Sequence, residues 1–305
     1  MIGAGAHAQL IALLSARRPD LELRGKPYTE ITSDDLAWAD TYMGFKRPPL
    51  PTMGNVRWVH CTGAGVDSWL QPTELPREIL LTRTSESFGA YIAEWALSRA
   101  FAVRQQIPQL ADAQRNHEWS PREIGYVRGS RAIVVGTGDV GSHVARLFSA
   151  VGAIVHGVSR TGRADSSVFA LRSKVSELPR LVGDADWLIL TLPLTPETRG
   201  LIGRDVLAAC RGAVLMNAGR GAVVDEASIP EAIERGWLSA AVLDVFETEP
   251  LPKDSSLWDN PCVMISPHIS GLTTPEGAVT GFVETLEEIE RGKTPNRVVD
   301  RDRGY

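Results

Sequence analysis

Apolar residues fall into two regimes along this chain. Over residues 1–89 they form short clusters separated by polar and proline-containing turns. Residues 8–14 have helical spacing, and 21–23, 42–45, 56–61 and 79–82 read as short strands. Ser33 is placed to cap a helix that starts at Asp34, and the prolines of 47–51 make that stretch a loop. This is the pattern of a small α/β unit. Such units ordinarily open on a strand, whereas here the chain starts almost inside its first helix, as a truncated or misassigned start would. Residues 89–106 predict one long helix able to carry the chain between domains. Residues 116–128 are largely polar, with Trp119, Pro121 and Tyr126, and read either as an arm packing on a second subunit or as a surface loop held by one tryptophan.

From residue 131 the pattern changes. The segments 132–135, 153–158, 187–193, 213–217, 240–245 and 263–266 are mostly apolar, strand-length, and separated mainly by helical stretches. Strands apolar on both faces and alternating with helices predict a parallel sheet covered on both sides. Ligands of such sheets lie beyond the carboxyl ends of the strands. The last helix is marked by Thr274 as N-cap, Pro275 and Glu276 in the first turn, and Gly292 past the end; it is expected to return to the first domain. The expected division is 1–89 with 271–305 in one domain and 90–270 in the other.

Composition narrows the functions. A chain of 305 residues is long enough for two domains with their own cores. A net charge of −5 without a basic block argues against nucleic acid or an anionic membrane as partner. Cys61, Cys210 and Cys262 are scattered and lack a CxxC pair, which points to reduced thiols in a cytoplasmic protein and to no metal site. No apolar stretch is long enough to span a bilayer, and no cationic segment leads into an apolar one, so neither a membrane span nor a signal peptide is expected.

Among the glycine clusters, one has the flanks of a dinucleotide site. Gly136-Thr137-Gly138-Asp139-Val140-Gly141 follows an apolar strand and opens a helix with Val144, Leu147 and Phe148 on one face. Gly136 permits the tight turn, Gly138 lets a pyrophosphate approach the backbone, and Gly141 lets the helix pack on the strand. The Gly3-Ala4-Gly5 cluster has only Met1 and Ile2 before it, and Gly63-Ala64-Gly65 lacks the third glycine.

Three polar side chains stand where strands of the second domain run out: Arg220, Glu249 and His268. Singly they read as a surface charge, a loop carboxylate and a structural histidine. Together they suit reduction of a 2-oxo acid. A histidine can protonate a carbonyl oxygen near neutral pH, a carboxylate bonded to it favours imidazolium and fixes the tautomer, and an arginine can hold a carboxylate and polarise the neighbouring carbonyl.

The segments VVGTGDVGSHVARLF, LTLPLTPETRGLI, LMNAGRGAVVDEASI, AVLDVFETEPLP and SPHISG, in this order and spacing, resemble the D-isomer-specific 2-hydroxyacid dehydrogenases over nearly the whole chain. The resemblance implies two Rossmann-like or flavodoxin-like α/β domains with parallel sheets and an active site in the cleft between them. It implies Arg220 as substrate binder and electrostatic catalyst, His268 as general acid and base, and Glu249 as the partner of His268. It also implies that the backbone amides of Ala64, Gly65 and Val66 bind the substrate carboxylate, that Leu192 and Ala218 line the cofactor cleft, and that Asp244 meets the nicotinamide carboxamide. Read from the residues alone, the 64–66 turn is equally an anion nest or a tight turn. The family resemblance further suggests a homodimer.

The cofactor expectation rests on the end of the second strand. An NAD site wants an acid there for the ribose 2′-hydroxyl. This chain has Ser159-Arg160-Thr161-Gly162-Arg163, a hydroxyl and two cations suited to a 2′-phosphate. NADP(H) is therefore expected, with NAD(H) as the alternative, and the Ser-Arg pattern resembles the glyoxylate/hydroxypyruvate reductase branch. Two other readings stay open: an NAD-dependent dehydrogenase for a larger or phosphorylated acid, and a non-catalytic nucleotide sensor on the same fold.

Overall fold

The computed structural model describes residues 6–71, 73–84, 88–271 and 273–304. In chain order the first elements are α1 (Ala6–Arg17), α2 (Ser33–Trp38), β1 (Thr41–Met43), β2 (Trp58–Cys61), α3 (Asp67–Leu70) and β3 (Leu80–Arg83). They are followed by α4 (Phe88–Arg104), α5 (Ile107–Arg115), β4 (Arg131–Val135), α6 (Asp139–Ala150), β5 (Ile154–Ser159) and β6 (Leu171–Lys174). The remainder comprises α7 (Leu178–Leu181), β7 (Trp187–Leu190), α8 (Arg204–Ala208), β8 (Ala213–Asn217), α9 (Ile229–Glu234), β9 (Leu238–Leu243), β10 (Val263–Ile265) and α10 (Pro275–Glu290). The chain divides into two units, 1–86 with 272–305 and 87–271.

The first unit is a parallel sheet in the order β1-β2-β3. One side packs Trp58, Leu14, Val279 and Phe282 from β2, α1 and α10, with the Trp58 and Phe282 rings stacked at 4.8 Å. The other buries Val59, Leu81, Leu36 and Trp69. Thr274 caps α10 by accepting the Gly277 N–H at 3.0 Å. Two expectations are corrected here. Residues 21–23 are not a strand; Leu21 and Leu23 pack on the Trp58–Phe282 cluster from irregular backbone, so their hydrophobicity reflects burial without pairing. The cap of α2 is Thr32, one residue before the predicted Ser33, and it forms a capping box with Asp35. The Gly3–Gly5 cluster lies outside the described residues.

The second unit is a seven-stranded sheet in the order β10-β9-β8-β7-β4-β5-β6, with every pair parallel. Strands β7 and β8 are buried throughout, which their unbroken apolar sequences require. The chain runs outward from β4 through β6 and returns at β7, so the order reverses between β4 and β7, where a ligand crevice is expected in such sheets. Edge strand β6 was not predicted, because Leu-Arg-Ser-Lys is largely exposed and carries no apolar signal. The predicted 89–106 helix is α4, which stops at Arg104; Gln106 takes φ 51° and α5 starts anew at Ile107. Residues 116–128 form no helix or strand, and Trp119 is 97% exposed. No described helix is long and apolar enough to cross a membrane.

Candidate active site

The glycine turn leaves β4 at Gly136, whose φ of 106° favours glycine. Two of its glycines are there for different reasons. A Cβ on Gly141 would stand 1.8 Å from the Gly136 carbonyl oxygen, so Gly141 is what lets α6 close on the turn. A Cβ on Gly138 would meet nothing within 4 Å. Gly138 therefore answers no packing demand of the protein, and its bare backbone before the exposed Asp139 and half-exposed Val140 leaves a cradle a diphosphate fits. The expected outcome is a contrast: Gly138→Ala folds with an unchanged Tm but weakens dinucleotide binding at least tenfold by fluorescence titration, whereas Gly141→Ala lowers Tm. Equal dinucleotide affinity in Gly138→Ala and the parent would remove the turn from the binding site.

The end of β7 meets the end of β8 beside this turn. A Cβ on Gly219 would fall 2.6 Å from the Leu192 carbonyl, so the backbones at Leu192 and beside Ala218 lie against each other. At the end of β5, the Ser159 hydroxyl donates to the Arg163 carbonyl at 2.9 Å, as does the Thr137 hydroxyl at 3.3 Å. Ser159 thus shapes the turn, and Arg160 and Arg163 are its exposed cations.

Arg220, Glu249 and His268 are held by loops at the carboxyl ends of β8, β9 and β10. Buried Asn217, which the sequence reading did not single out, clamps the first loop: its Oδ1 accepts the Gly219 N–H at 3.1 Å and its Nδ2 donates to the Arg220 carbonyl at 3.0 Å. Gly221 follows, and a Cβ there would lie 1.9 Å from the Phe246 carbonyl carbon, so the Arg220 and Glu249 loops touch backbone to backbone. The Phe246 N–H donates to Glu249 Oε1 at 3.0 Å, and Glu249 Oε2 lies 2.8 Å from His268 Nδ1. Burial acts to raise the Glu249 carboxyl, but the hydrogen bond and charge of His268, the Phe246 N–H and nearby Arg220 outweigh it and hold the carboxyl below its usual range. An ionised Glu249 accepts from Nδ1–H, which leaves Nε2 as the atom that exchanges a proton. His268 itself sits at φ 54°, a left-handed conformation uncommon for a side chain of this size.

Asp244 is tied into the loop that follows β10. It is fully buried at the end of β9, where Oδ1 accepts from Ser266 Oγ at 2.5 Å and the Ile269 N–H at 3.0 Å, and Oδ2 from the Ser270 N–H at 2.8 Å. Its carboxylate is the anchor of the His268 loop. In the first unit, residues 64–66 lie between β2 and α3. The Ala64 carbonyl accepts from Arg83 at 2.8 Å, and the N–H groups of Ala64, Gly65 and Val66 donate to no other described residue.

Residues 97–270 match the family described as D-isomer specific 2-hydroxyacid dehydrogenase, NAD binding domain. Across 97% of this chain and 95% of the relative, 33% of residues are identical to a glyoxylate/hydroxypyruvate reductase A of Serratia proteamaculans. The chain belongs to the D-isomer-specific 2-hydroxyacid dehydrogenase family. Solved structures agree with the assignment. A family member from Xanthobacter autotrophicus Py2, in complex with NADPH and MES, superposes with a TM-score of 0.85 at 32% identity, covering 98% of this chain and 96% of that one. An NADPH-dependent glyoxylate/hydroxypyruvate reductase from Sinorhizobium meliloti, in complex with NADP and sulfate, gives 0.87 at 29% identity with the same coverage. The dehydrogenase is thus an NAD(P)-dependent oxidoreductase of two-domain α/β architecture.

Proposed function

We propose that this dehydrogenase reduces small, polar 2-oxo acids of the glyoxylate or hydroxypyruvate kind to D-2-hydroxy acids with NADPH. The observation that carries the reading is the acid-free, doubly cationic turn Ser159–Arg163 at the end of β5. Arg160 and Arg163 suit a 2′-phosphate, and the backbone at Gly136, Gly138, Asp139, Val140 and Gly141 suits the pyrophosphate. The names of the Serratia and Sinorhizobium relatives support the substrate class.

A bound nicotinamide supplies the hydride. His268 Nε2 gives its proton to the keto oxygen, and Glu249, ionised and fixed by the Phe246 N–H, aligns the imidazole and stabilises its charge. Arg220 attracts the carboxylate and polarises the carbonyl. In the first unit, the N–H groups of residues 64–66, which donate to no other described residue, suit a substrate carboxylate. Exposed Trp119 and Tyr126 support a homodimer, and cysteines held in no disulfide suit a reducing cytoplasm.

The test is oxidation of NADPH and NADH side by side, with glyoxylate, hydroxypyruvate and pyruvate as acceptors and sedimentation of the same sample. Turnover should favour NADPH. Arg160→Glu should cut kcat/KM for NADPH about ten- to a hundredfold, the loss of one charge-assisted pair, and leave NADH nearly unaffected. Turnover with NADH only would discard the cofactor assignment, silence with both would discard the substrate class, and a monomer would discard the dimer.

A further inference from the structure

We infer that Ser266, tied to Trp95 of α4, is a positioning residue that sets His268 against Glu249. The inference rests on His268 being the proton donor proposed above. His268 is held at φ 54°, and a left-handed histidine persists only where its surroundings over-determine it. The surroundings converge on Asp244. Its main-chain carbonyl accepts the His268 N–H at 2.8 Å, and its carboxylate takes the next two N–H groups of the loop. Those bonds aim the loop only if the carboxylate itself has one orientation.

Ser266 supplies that orientation. Its hydroxyl proton goes to Asp244 Oδ1 at 2.5 Å, and its oxygen accepts the Trp95 indole N–H at 3.0 Å. The hydroxyl cannot rotate away without losing both partners. Trp95 is fixed in turn: it is buried in α4, and the Arg99 guanidinium lies over its ring at 5.1 Å. A rigid helix is thereby connected, through one hydroxyl and one carboxylate, to the backbone of the histidine. A hydroxyl is required at 266 and a serine is not, because threonine offers the same donor and acceptor; Ser266 borders a cavity of about 220 Å³.

The test compares Ser266→Ala, Ser266→Thr and Trp95→Phe in the full chain. Steady-state kinetics with NADPH and glyoxylate are read with the downfield NMR resonance of the proton between His268 and Glu249, assigned by its absence in His268→Asn. Ser266→Ala should lower kcat about tenfold or more, since small misplacements of a reacting group are costly, with both KM values within about twofold. It should also shift or broaden the resonance. Ser266→Thr should restore rate and resonance, and Trp95→Phe should lie between, deciding the matter if Ser266→Ala does not fold. An unchanged resonance in Ser266→Ala, an equal loss in Ser266→Thr, or no such resonance in the parent would overturn the inference. Loss of the resonance in a protein that turns over no 2-oxo acid would sustain the positioning role while refuting the proposed reaction.

Discussion

His268→Ala is expected to lower kcat by about 10²–10⁴-fold, the usual contribution of a positioned acid, with little change in Tm. The imidazole is a third exposed, so its removal opens no core cavity. Its catalytic role has no ready substitute, because Glu249 is ionised and can accept a proton bond but not donate one. Arg220→Ala should lose turnover comparably while raising KM for the 2-oxo acid, since the guanidinium is proposed to serve both binding and polarisation. Kinetics alongside thermal melts would check both variants. Near-parental rates in the two together would remove the mechanism, and a collapsed Tm would mean that the side chains are structural.

The set was legible in the sequence as a combination only. Arg220, Glu249 and His268 each follow an apolar run, and apolar runs buried on both faces announce their strands clearly. What fixes the side chains was not legible, since it depends on contacts distant in the chain. Trp95 and Ser266 are 171 residues apart, and neither carries a sequence signal separating it from ordinary core tryptophan or loop serine. Asp244 shows the same limit: its position at a strand end suggested a ligand contact, and nothing in the sequence signalled that its carboxylate also takes three donors from residues 266–270. Elements with weak hydrophobic signals failed in the same way. Strand β6 is exposed and polar, and α5 is recognised only once Gln106 has broken the helix before it. Residues 21–23 failed oppositely, being apolar through burial against Trp58 and not through strand pairing.

Stability should fall as pH drops from about 6.5 toward 3, and His60 is the reason. It lies fully buried on β2 between two hydroxyls, Nδ1 at 2.8 Å from Thr82 and Nε2 at 3.1 Å from Thr84. Trp58 donates its indole N–H to the same Thr82 oxygen at 2.8 Å, which favours the tautomer in which Thr82 donates to Nδ1 and Nε2–H donates to Thr84. A neutral ring satisfies this network. Burial, with some help from the positive charge of Arg297, pushes the imidazole down from 6.5 to about 3. Below pH 6.5 the unfolded chain takes up a proton that the folded one refuses, so the contribution is complete above 6.5 and lost as pH falls, by about 1.4 kcal/mol per pH unit. Half-buried His156 tilts the curve the same way, so the decisive quantity is a difference. Urea unfolding between about pH 6.5 and 5, above most carboxylate titrations, should show a shallower slope in His60→Asn than in the parent, although the variant is less stable at neutral pH. Identical slopes would mean that His60 is protonated in the fold. Strand β2 runs directly into the turn carrying the N–H groups of Ala64, Gly65 and Val66. Because the folded ring stays neutral until about pH 3, the turn should be undisturbed while stability falls, and the affinity of the folded protein for 2-oxo acid should show no change attributable to His60 between about pH 6.5 and 5.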